Sequence, residues 1–575
     1  MENKNENKIC QNCKKDFVIE SEDFNFYKKI KVPPPTFCPE CRLQRRMVWR
    51  NDWHLFKKKE ALNGEEIFSF IPEESCYKIY DRDYWISDAW NPLKYGQEYD
   101  FSKSFFEQFK NLLFQVPLPA HSMFNMVNCK YCTNAHDVKN CYLVRGVSYA
   151  EDSAYLIWDT GSKQCFDSHM TNQCELSYGN VNTTTCYKTF FSVDCESCQE
   201  TILCKDCIGC NSCFGSINLR NKSYCIFNQQ YSREEYLRKI IEFNLGSNLS
   251  FKTLKDKSHK HWLNYPQKYI HDRQNINVSG DYVYGSKNAK YCFRVRMVED
   301  SKFIQNILKG PVKNCYDYSN YGENVELIYE SLIVGNGSSN IKFSAYCYQN
   351  IMNLTYCIFC SNSSDLFGCV SLRSKQYCIF NKQYSKEEYE KLVPKIIEHM
   401  KQTKEYGEFF PSLFSFFPYK TTAAYEFFPL SKDEAKKGGF LWYETTKQNY
   451  KITFKNEDIP DNIKDVNDDI LNQTIQCAHD ESCKHECTGA FRIIKTEFDF
   501  LKRINLPLPR LCINCRHYER LILRNPPGLF KRRCMCDKEN HSNHKGKCEV
   551  EFETSYALDR PEIVYCEKCY LQEVY

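Results

Sequence analysis

Residues 185–213 read TCYKTFFSVDCESCQETILCKDCIGCNSC, and this stretch decides how the middle of the chain folds. Its cysteines belong to a longer series, because Cys165, Cys186 and Cys207 recur every 21 residues. Short strand-like segments lie between them. A fixed period of about this length is typical of solenoids, in which each repeat forms one coil and like residues stack on one another. The sequence therefore predicts a mostly β fold containing a β-solenoid (β-helix) whose interior is filled by small thiols.

An internal duplication predicts two such solenoid lobes. Residues 214–236, FGSINLRNKSYCIFNQQYSREEY, match residues 367–389, FGCVSLRSKQYCIFNKQYSKEEY. Each copy ends in a Ser-x-x-Glu sequence that begins at Ser232 or Ser385. This pattern is a capping box, which starts a helix. We expect each helix to cover strand edges that would otherwise pair with other chains.

The two ends of the chain are also copies of one another. Residues 24–59 read FNFYKKIKVPPPTFCPECRLQRRMVWRNDWHLFKKK, and residues 498–533 read FDFLKRINLPLPRLCINCRHYERLILRNPPGLFKRR. The two segments align without a gap and superpose the Cys-x2-Cys pairs. We therefore predict related modules at both ends, flanking the two lobes.

The N-terminal module contains the spacing of a zinc ribbon. Cys10 and Cys13 form one Cys-x2-Cys knuckle, and Cys38 and Cys41 form the second. Two knuckles supply the four thiolates of a tetrahedral Zn²⁺ site, with Zn–S bonds of about 2.3 Å. Since all four ligands come from the protein, the predicted zinc is structural.

The C-terminal module predicts two further ribbons. The first uses Cys483, Cys487, Cys512 and Cys515, although its Cys-x3-Cys knuckle is irregular and Cys477, His479 or His485 could replace Cys483. The second uses Cys534, Cys548, Cys566 and Cys569, with Cys536 as the alternative to Cys534. The expected total is about three structural Zn²⁺ ions.

The N-terminal counterpart of that last ribbon lacks its ligands. Glu60 aligns with Cys534, and Asp81 and Tyr84 align with Cys566 and Cys569. We predict the same fold there without a second zinc, with apolar contacts from Phe68, Phe70, Tyr84 and Trp85 in its place.

Each module also has an Arg-rich helix. The arginines at intervals of four lie on one helical face; they are Arg42, Arg46 and Arg50 in one module and Arg516, Arg520 and Arg524 in the other. An arginine face beside aromatic residues can bind phosphates and stack on bases. The leading hypothesis is therefore a non-enzymatic protein that binds RNA or a ribonucleoprotein, with the solenoid as a spacer or second surface. Alternatively, the arginines pair with acids of the neighbouring lobe, and the protein is a scaffold that binds a protein partner along the solenoid.

Composition limits the other classes of function. The chain has 575 residues, 35 cysteines and a formal net charge of +4, which excludes a globally basic nucleic-acid coat. It contains no long apolar run and begins without a secretory signal, so we expect no membrane span, a cytoplasmic location, and thiols rather than disulfides. The oligomeric state stays open.

Motifs of known catalytic sites are missing from the sequence, which argues against an enzyme. The closely spaced cysteines from Cys198 to Cys213 could hold a metal in a redox or metal-dependent enzyme, the third and weakest hypothesis. We interpret them instead as interior residues of the solenoid. Asp167 and Asp194 are interpreted as turn formers.

These observations divide the chain into five regions. They are an N-terminal zinc-ribbon module (1–98), solenoid lobe 1 with its helices (99–250), solenoid lobe 2 with its helix (251–405), an aromatic and polar connector (406–476) and a C-terminal tandem zinc-ribbon module (477–575).

Three segments resemble a family of uncharacterised Cys-rich proteins from small-genome, candidate-phylum bacteria. They are ICQNCKKDFVIESEDFNFYKKIKVPPPTFCPECRLQRR, YCIFNKQYSKEEYEKLVPKIIEHM and SYALDRPEIVYCEKCYLQEVY. The resemblance implies zinc ribbons at both ends and a bacterial cytoplasmic protein. The family pattern has two cysteine pairs in the second N-terminal ribbon, from which this chain departs at Glu60, Asp81 and Tyr84.

Overall fold

Two β-solenoid lobes form the middle of the molecule, and Cys-rich modules lie at both ends, which confirms the predicted fold class. The computed structural model describes residues 4–444, 450–479, 483 and 485–575. Residues 445–449, within the predicted connector, lie outside the described part.

The strands fall into three sets. Lobe 1 contains Met123–Val127, Ala135–Lys139, Lys163–Phe166, Glu175–Tyr178, Gln199–Ile202, Asn211–Phe214, Ser223–Ile226 and Gln229–Gln230. Lobe 2 contains Asp272–Arg273, Gly280–Tyr284, Lys287–Lys290, Cys292–Arg296, Val298–Lys302, Gln305–Ile307, Val312–Lys313, Tyr316–Gly322, Val325–Gly335, Ser338–Lys342, Ala345–Tyr348, Met352–Thr355, Ser364–Phe367, Gln376–Ile379 and Lys382–Gln383. Outside the lobes are Glu6–Ile9, Asp16–Ile19, Phe56–Lys59, Glu66–Ser69, Ile79–Tyr80, Leu118–Pro119, Gln267–Lys268, Ile475–Gln476, Ala490–Phe491, Phe530–Arg533, Glu551–Thr554 and Val564–Tyr565.

The helices lie outside the coils, in the terminal modules, before and between the lobes, and after lobe 2. They are α1 (Asp23–Ile30), α2 (Pro39–Met47), α3 (Arg82–Ile86), α4 (Phe105–Gln115), α5 (Arg233–Glu242), α6 (Asn248–Trp262), α7 (Lys386–Gln402), α8 (Ala423–Phe427), α9 (Lys432–Lys437), α10 (Lys495–Ile504), α11 (Ile513–Ile522) and α12 (Glu567–Val574). Short 3-10 helices span Pro92–Tyr95, Ser412–Phe414, Tyr419–Thr421, Asn456–Asp458, Ile463–Asp465 and Asp468–Asn472. In the described part of the chain, none of the helices combines the length and the apolar character needed to cross a membrane.

The coil of lobe 1 is 12 residues long, so the predicted 21-residue coil is wrong. Parallel bridges join Lys130 to Tyr142 and Tyr142 to Ala154, and hydrogen bonds across neighbouring coils repeat the 12-residue separation. In lobe 2 the separation ranges from 11 to 14 residues. Interior side chains occur at every third residue, as the buried series Cys204, Cys207 and Cys210 shows. Two residues separated by a multiple of three can therefore both point into the interior. Residues 21 positions apart meet this condition, but they are not stacked directly on one another because one coil is 12 residues long.

The interior thiols and hydroxyls satisfy backbone groups that face the inside of each coil. The N–H of Cys165 donates to Ser153 Oγ one coil earlier at 3.0 Å. The Cys165 thiol in turn donates to the carbonyls of Lys163 and Cys174, at 3.4 and 3.3 Å. An aliphatic side chain could accept no such hydrogen bond, and an unpaired buried N–H costs about 1–3 kcal/mol. This need explains the cysteines and serines of the interior, which also contains aliphatic side chains such as Val144 in lobe 1 and Ile328 in lobe 2.

Each corner of the coil requires a left-handed residue. Asp206, Gly209, Ser212 and Gly215 have φ of 47°, 65°, 52° and 62° and alternate with the interior cysteines. A non-glycine residue in this conformation costs roughly 1–2 kcal/mol. The corner N–H offsets part of that cost by bonding to the preceding coil, as Asp206 N does to the Val193 carbonyl at 3.0 Å.

The two lobes lie side by side with opposite chain directions. Early in lobe 1, Phe124 packs edge-on against Tyr348, which lies late in lobe 2. Late in lobe 1, Asp194 Oδ1 accepts a hydrogen bond of 2.8 Å from Tyr282 Oη, early in lobe 2. Asp194, interpreted from the sequence as a turn former, therefore also joins the lobes.

The helices pack on both lobes in a crossed pattern. Helix α4 precedes lobe 1 but packs on lobe 2, where Phe105 contacts Phe367 at 5.6 Å between ring centroids. Helix α6 precedes lobe 2 but packs on lobe 1, where Phe251 contacts Phe191 at 4.8 Å. The predicted capping boxes start α5 and α7 after the last coil of each lobe. These helices lie beside the terminal coils of each solenoid.

Candidate metal centres

The N-terminal ribbon brings its four predicted cysteines together. Cys10 follows the strand Glu6–Ile9, Cys38 caps α2, and Cys41 lies in its first turn. The four sulfur atoms lie within 4.8 Å of one another, with Cys13 and Cys38 separated by 3.8 Å. The N–H of Cys38 donates to Cys10 Sγ at 3.2 Å, which links the two knuckles.

The second ribbon uses Cys477 in the place predicted for Cys483. The four-cysteine group is Cys477, Cys487, Cys512 and Cys515. Cys477 Sγ accepts a 3.1 Å hydrogen bond from the N–H of Cys512, as Cys10 does from Cys38. Cys477 is thus the structural counterpart of Cys10. An alignment without gaps does not pair these two residues, because the chain from Cys477 to Cys487 is longer than the chain from Cys10 to Cys13.

Cys483 also lies close to Cys515 but in a different group of ligands. Its Sγ is 3.8 Å from Cys515 Sγ and belongs to a group with His479 and His485. His479 and His485, considered from the sequence as replacements for Cys483, instead form with it a second group that shares Cys515.

The third ribbon contains the four cysteines predicted for it. Cys534, Cys548, Cys566 and Cys569 are all buried and lie within 4.8 Å of one another. The linking hydrogen bond recurs, because the N–H of Cys566 donates to Cys534 Sγ at 3.2 Å. The alternative ligand Cys536 belongs to a second group that shares Cys569.

The sulfur separations fit a tetrahedral ion. Zn–S bonds of about 2.3 Å give S···S edges of about 3.8 Å in a tetrahedron. The observed separations are 3.8 Å for Cys13 and Cys38, 3.9 Å for Cys487 and Cys512, and 4.0 Å for Cys548 and Cys566. Four protein sulfurs leave no open coordination position, so an ion bound there would be structural.

Hydrogen bonds among the sulfurs favour one thiolate in each of the first two groups, Cys38 or Cys512, and raise the pKa of its partner, Cys41 or Cys515. A hydrogen bond with Cys41 is the largest influence on Cys38 and lowers the pKa of Cys38 to about 5. Hydrogen bonds with Cys477 and Cys515 lower the pKa of Cys512. Thiolate is the form that binds zinc.

The degenerate N-terminal ribbon replaces a thiolate with a carboxylate. Glu60 Oε2 accepts a 2.8 Å hydrogen bond from the N–H of Asp81, the positions that align with Cys534 and Cys566. The elements around it correspond to those of the third ribbon, with the hairpin Phe56–Lys59 and Glu66–Ser69, then a short strand and a helix.

Aromatic contacts replace the metal in that ribbon only in part. Phe70 and Trp85 are buried in the main core, and Tyr84 packs against it. Phe68 differs from the prediction because it is 40% exposed and contacts Tyr131.

The six arginines predicted to bind nucleic acid do not form an exposed face. Their exposed fractions range from 1% to 7%. In the N-terminal module, Arg42 and Arg46 lie 2.9 and 3.2 Å from the carboxylate of Asp317 in lobe 2. Arg50 pairs with Asp52 at 2.5 Å. This side of the helix therefore packs against lobe 2 rather than lying open to solvent. Lobe 2 supplies a buried carboxylate, that of Asp317, beside Arg42 and Arg46.

The C-terminal module makes the same contact with lobe 1. Arg520 Nη1 and Arg516 Nη1 lie 2.6 and 3.4 Å from the carboxylate of Asp167 in lobe 1, and Arg516 also lies 2.7 Å from Glu497 Oε1 of its own module. Arg524 contacts His169, which is also buried. Asp167, interpreted from the sequence as a turn former, is therefore an ion-pair partner.

The two docking interfaces are related by the internal duplications. Phe26 stacks on Tyr316 with ring centroids 4.0 Å apart, and its counterpart Phe500 packs on Phe166 at 4.7 Å. The partners lie in a Cys-aromatic-Asp sequence that occurs at 165–167 and again at 315–317. This repeat was the sequence signal for the acids that the sequence analysis missed. Each module thus docks on the lobe farther from it in sequence.

The modules also contact each other. Trp53 Nε1 donates to Asn514 Oδ1 at 2.9 Å, and the Trp53 ring stacks on His517 at 4.3 Å. The two ends of the chain and both lobes are therefore linked by direct contacts.

The cysteines between 198 and 213 lie inside lobe 1. Cys198 Sγ donates to the carbonyls of Glu196 and Cys207, at 3.3 and 3.2 Å. Cys213 makes the same contacts with Asn211 and Lys222. Their hydrogen bonds match those of the other interior thiols and favour the structural interpretation.

An open cleft of about 650 Å³ lies between α3 and the last coils of lobe 2. Aromatic residues line it, among them Trp85, Phe124 and Tyr348. Arg373 and Lys375 provide positive charge at one side. Asp88 and neutral polar residues such as Asn91 and Gln349 also line the cleft, and Arg373 donates a 2.7 Å hydrogen bond to the Ser87 carbonyl.

No family model matches the chain, and no curated protein matches it. Among solved structures, a crystal structure described as a "putative acetyltransferase" from Desulfovibrio desulfuricans G20 aligns with 41% of this chain at 10% identity and a TM-score of 0.10. The aligned part spans 63% of that protein. Similarity this low carries no argument about fold or activity.

Proposed function

We propose that the protein is a non-enzymatic interaction scaffold whose zinc ions are purely structural. The observation that carries this proposal is the burial of the module arginines against the lobes. Each zinc ribbon presents its helix to a solenoid lobe, so the ribbons hold the scaffold together rather than reach for a ligand. Closed four-sulfur sites agree with this role.

RNA binding through the ribbons is the weaker proposal. Phosphate binding needs arginines that reach solvent. Arg42, Arg46, Arg516 and Arg520 instead neutralise buried acids, and exposing them would leave Asp317 and Asp167 unpaired. The geometry therefore favours a protein partner.

The cleft beside α3 is the surface that we assign to this partner. Aromatic residues and arginine are enriched at the energetically important centres of protein interfaces. Ile86, which lines the cleft, is 40% exposed. Lys375 is the cation that we assign to a carboxylate of the partner, since Arg373 already contacts the Ser87 carbonyl and Asp88 also lines the cleft. The expected ligand is a protein segment that carries apolar side chains and an acidic residue.

Site-specific photo-crosslinking in the host cell tests this function. A photoreactive amino acid replaces Ile86 in the cleft or, as a control, Leu558, which is 73% exposed in the C-terminal module. We expect a discrete protein adduct from position 86 only. The adduct should disappear when Lys375→Glu is added, because the charge would then repel the carboxylate. Crosslinks to RNA, or equal adducts from both positions, would contradict the proposal.

A further inference from the structure

A second group of metal-ligand residues lies beside the third ribbon. Cys536, His541 and His544 place their ligand atoms within 4.8 Å of one another and of Cys569 Sγ. Cys536 Sγ is 3.2 Å from His541 Nδ1, and both residues are buried. Cys569 already belongs to the four-cysteine group, so the two groups share one sulfur.

The histidines of this group are oriented as metal ligands. His541 Nε2 lies 3.2 Å from Glu573 Oε2, which leaves Nδ1 directed at Cys536. His544 Nδ1 lies 2.7 Å from the Gly546 carbonyl, while His544 Nε2 is buried without a hydrogen-bond partner. Metal-binding histidines commonly donate their other ring N–H to a carboxylate or a carbonyl in this way. An ion would satisfy the otherwise unpaired nitrogen.

The second ribbon repeats the arrangement. His479, Cys483 and His485 form a group with Cys515, which also belongs to the four-cysteine group. Cys483 and Cys515 are 3.8 Å apart, and the Nδ1 atoms of both histidines are buried without partners. In both ribbons the shared sulfur is the last cysteine of the second knuckle.

An asparagine amide contacts the last cysteine of the second knuckle in two ribbons, and Cys569 Sγ accepts a 3.2 Å hydrogen bond from the Asn543 amide. Cys41 Sγ accepts a 3.3 Å hydrogen bond from the Asn12 amide. Asn12 stands within the first knuckle, where the second ribbon has the longer segment with His479, Cys483 and His485. The extra segment thus brings extra ligands.

We infer that the C-terminal module holds two pairs of Zn²⁺ ions, each pair bridged by one thiolate, Cys515 or Cys569. Every ion would have four protein ligands, either four sulfurs or two sulfurs and two imidazoles, which are sets that zinc prefers. Sharing a thiolate also lowers the negative charge per ion relative to an isolated four-thiolate site, which lowers the cost of burial. With the N-terminal ribbon, the chain would bind five Zn²⁺ ions rather than the three expected from the sequence.

Native mass spectrometry of the full-length protein tests the number of ions. We expect five Zn²⁺ in the wild type, four in His544→Ala and three in the double variant His485→Ala/His544→Ala. His136→Ala, which changes a histidine on a solenoid lobe, should keep all five. Loss of a single ion in His544→Ala separates this site from the four-cysteine site, whose ligands remain.

The bridging sulfurs have a signature that needs no variant. In protein reconstituted with ¹¹³Cd²⁺, two ions that share a thiolate should show ¹¹³Cd–¹¹³Cd scalar coupling, whereas the N-terminal ion should show none. Three ions in the wild type, or five ions without coupling, would overturn the inference. Four ions with one coupled pair, and one ion lost in His544→Ala, would retain it for Cys569 and overturn it for Cys515.

Discussion

Arg42 Nη2 lies 2.9 Å from Asp317 Oδ2, and both side chains are almost completely buried although one belongs to the N-terminal module and the other to lobe 2. Arg46 contacts the other oxygen of the same carboxylate. The Asp317 carboxylate therefore neutralises part of the positive charge that helix α2 buries against lobe 2. The stability of the module depends on the lobe against which it docks.

Replacing Asp317 by Asn should strongly destabilise the protein. Removing one partner of a buried ion pair costs about 3–5 kcal/mol because the remaining charge is left unpaired. We expect the denaturant midpoint of unfolding to fall accordingly, and Asp167→Asn should act similarly through Arg520. Glu326→Gln, on the exposed outside of lobe 2, is the matched control and should change little. Equal midpoints for Asp317→Asn and the control would refute the structural role of these arginines.

Disrupting the N-terminal four-cysteine site, which could hold a metal ion, should leave the lobes folded but open the first module. In Cys41→Ser we expect one ion fewer by metal analysis and faster proteolysis between residues 10 and 41, because structural zinc contributes directly to folding free energy. Cys76→Ser alters an exposed cysteine outside the ribbon and should retain the full metal content. A variant at Cys41 with unchanged zinc would exclude this site.

Glu60 should contribute to stability without a metal. Glu60→Ala removes the acceptor of the Asp81 N–H, and hydrogen bonds to charged groups contribute about 1.5–3 kcal/mol. The expected result is a lower unfolding midpoint with unchanged zinc content. Glu65→Ala, an exposed change in the same hairpin, should be nearly neutral. If zinc were lost with Glu60→Ala, the carboxylate would be a ligand instead.

Substitutions in the solenoid interior should show whether these positions require a hydrogen-bond acceptor or only a side chain of suitable volume. Ser153→Val leaves the N–H of Cys165 without its 3.0 Å partner, for an expected loss of about 1–3 kcal/mol. Ser153→Cys retains an acceptor and should be better tolerated, as neighbouring coils already carry cysteine there. Thermal unfolding of the two variants provides the comparison. A valine variant as stable as the cysteine variant would show that packing alone governs these positions.

Because of His271, the free energy of unfolding should fall as the pH rises above about 6.5. Burial lowers the pKa of His271, but the carboxylates of Asp281 and Asp194 outweigh it and raise the pKa to about 9. The folded state therefore holds a proton that the unfolded chain releases near pH 6.5. The stabilisation, about 3 kcal/mol, is complete below pH 6.5 and disappears as the pH rises through 9.

The denaturant midpoint between pH 6 and pH 10 measures this effect. We expect His271→Gln to be less stable than the wild type at pH 6 and to lose the slope in this range. If His271→Gln kept the wild-type dependence of the midpoint on pH, a group other than His271 would be responsible for it. His261→Gln, at the end of α6, is the comparison variant.

Local patterns in the sequence were sufficient to predict both knuckles of the first ribbon and the Cys566–Cys569 knuckle of the third. A Cys-x2-Cys pair forms within one turn, so its geometry depends on few residues. The β-solenoid followed from the periodic cysteines for a similar reason, because each coil repeats the contacts of its neighbour. The cysteine pattern could not give the coil length, because residues 21 positions apart and residues 12 positions apart can both point into the interior.

The amino-acid sequence by itself determined the cysteine-rich ends and the coiled middle, whereas the tertiary structure decided what the arginines do. Arg46 and Asp317 are 271 residues apart, and no local pattern states that they meet. Cys477 replaced Cys483 for the same reason, because the choice depends on which sulfur the N–H of Cys512 reaches after folding. An Arg-rich helix has the same sequence whether it faces solvent or a buried acid. Only the packed chain fixes the surrounding dielectric and partners, and these determine whether the charge binds a ligand or holds the fold together.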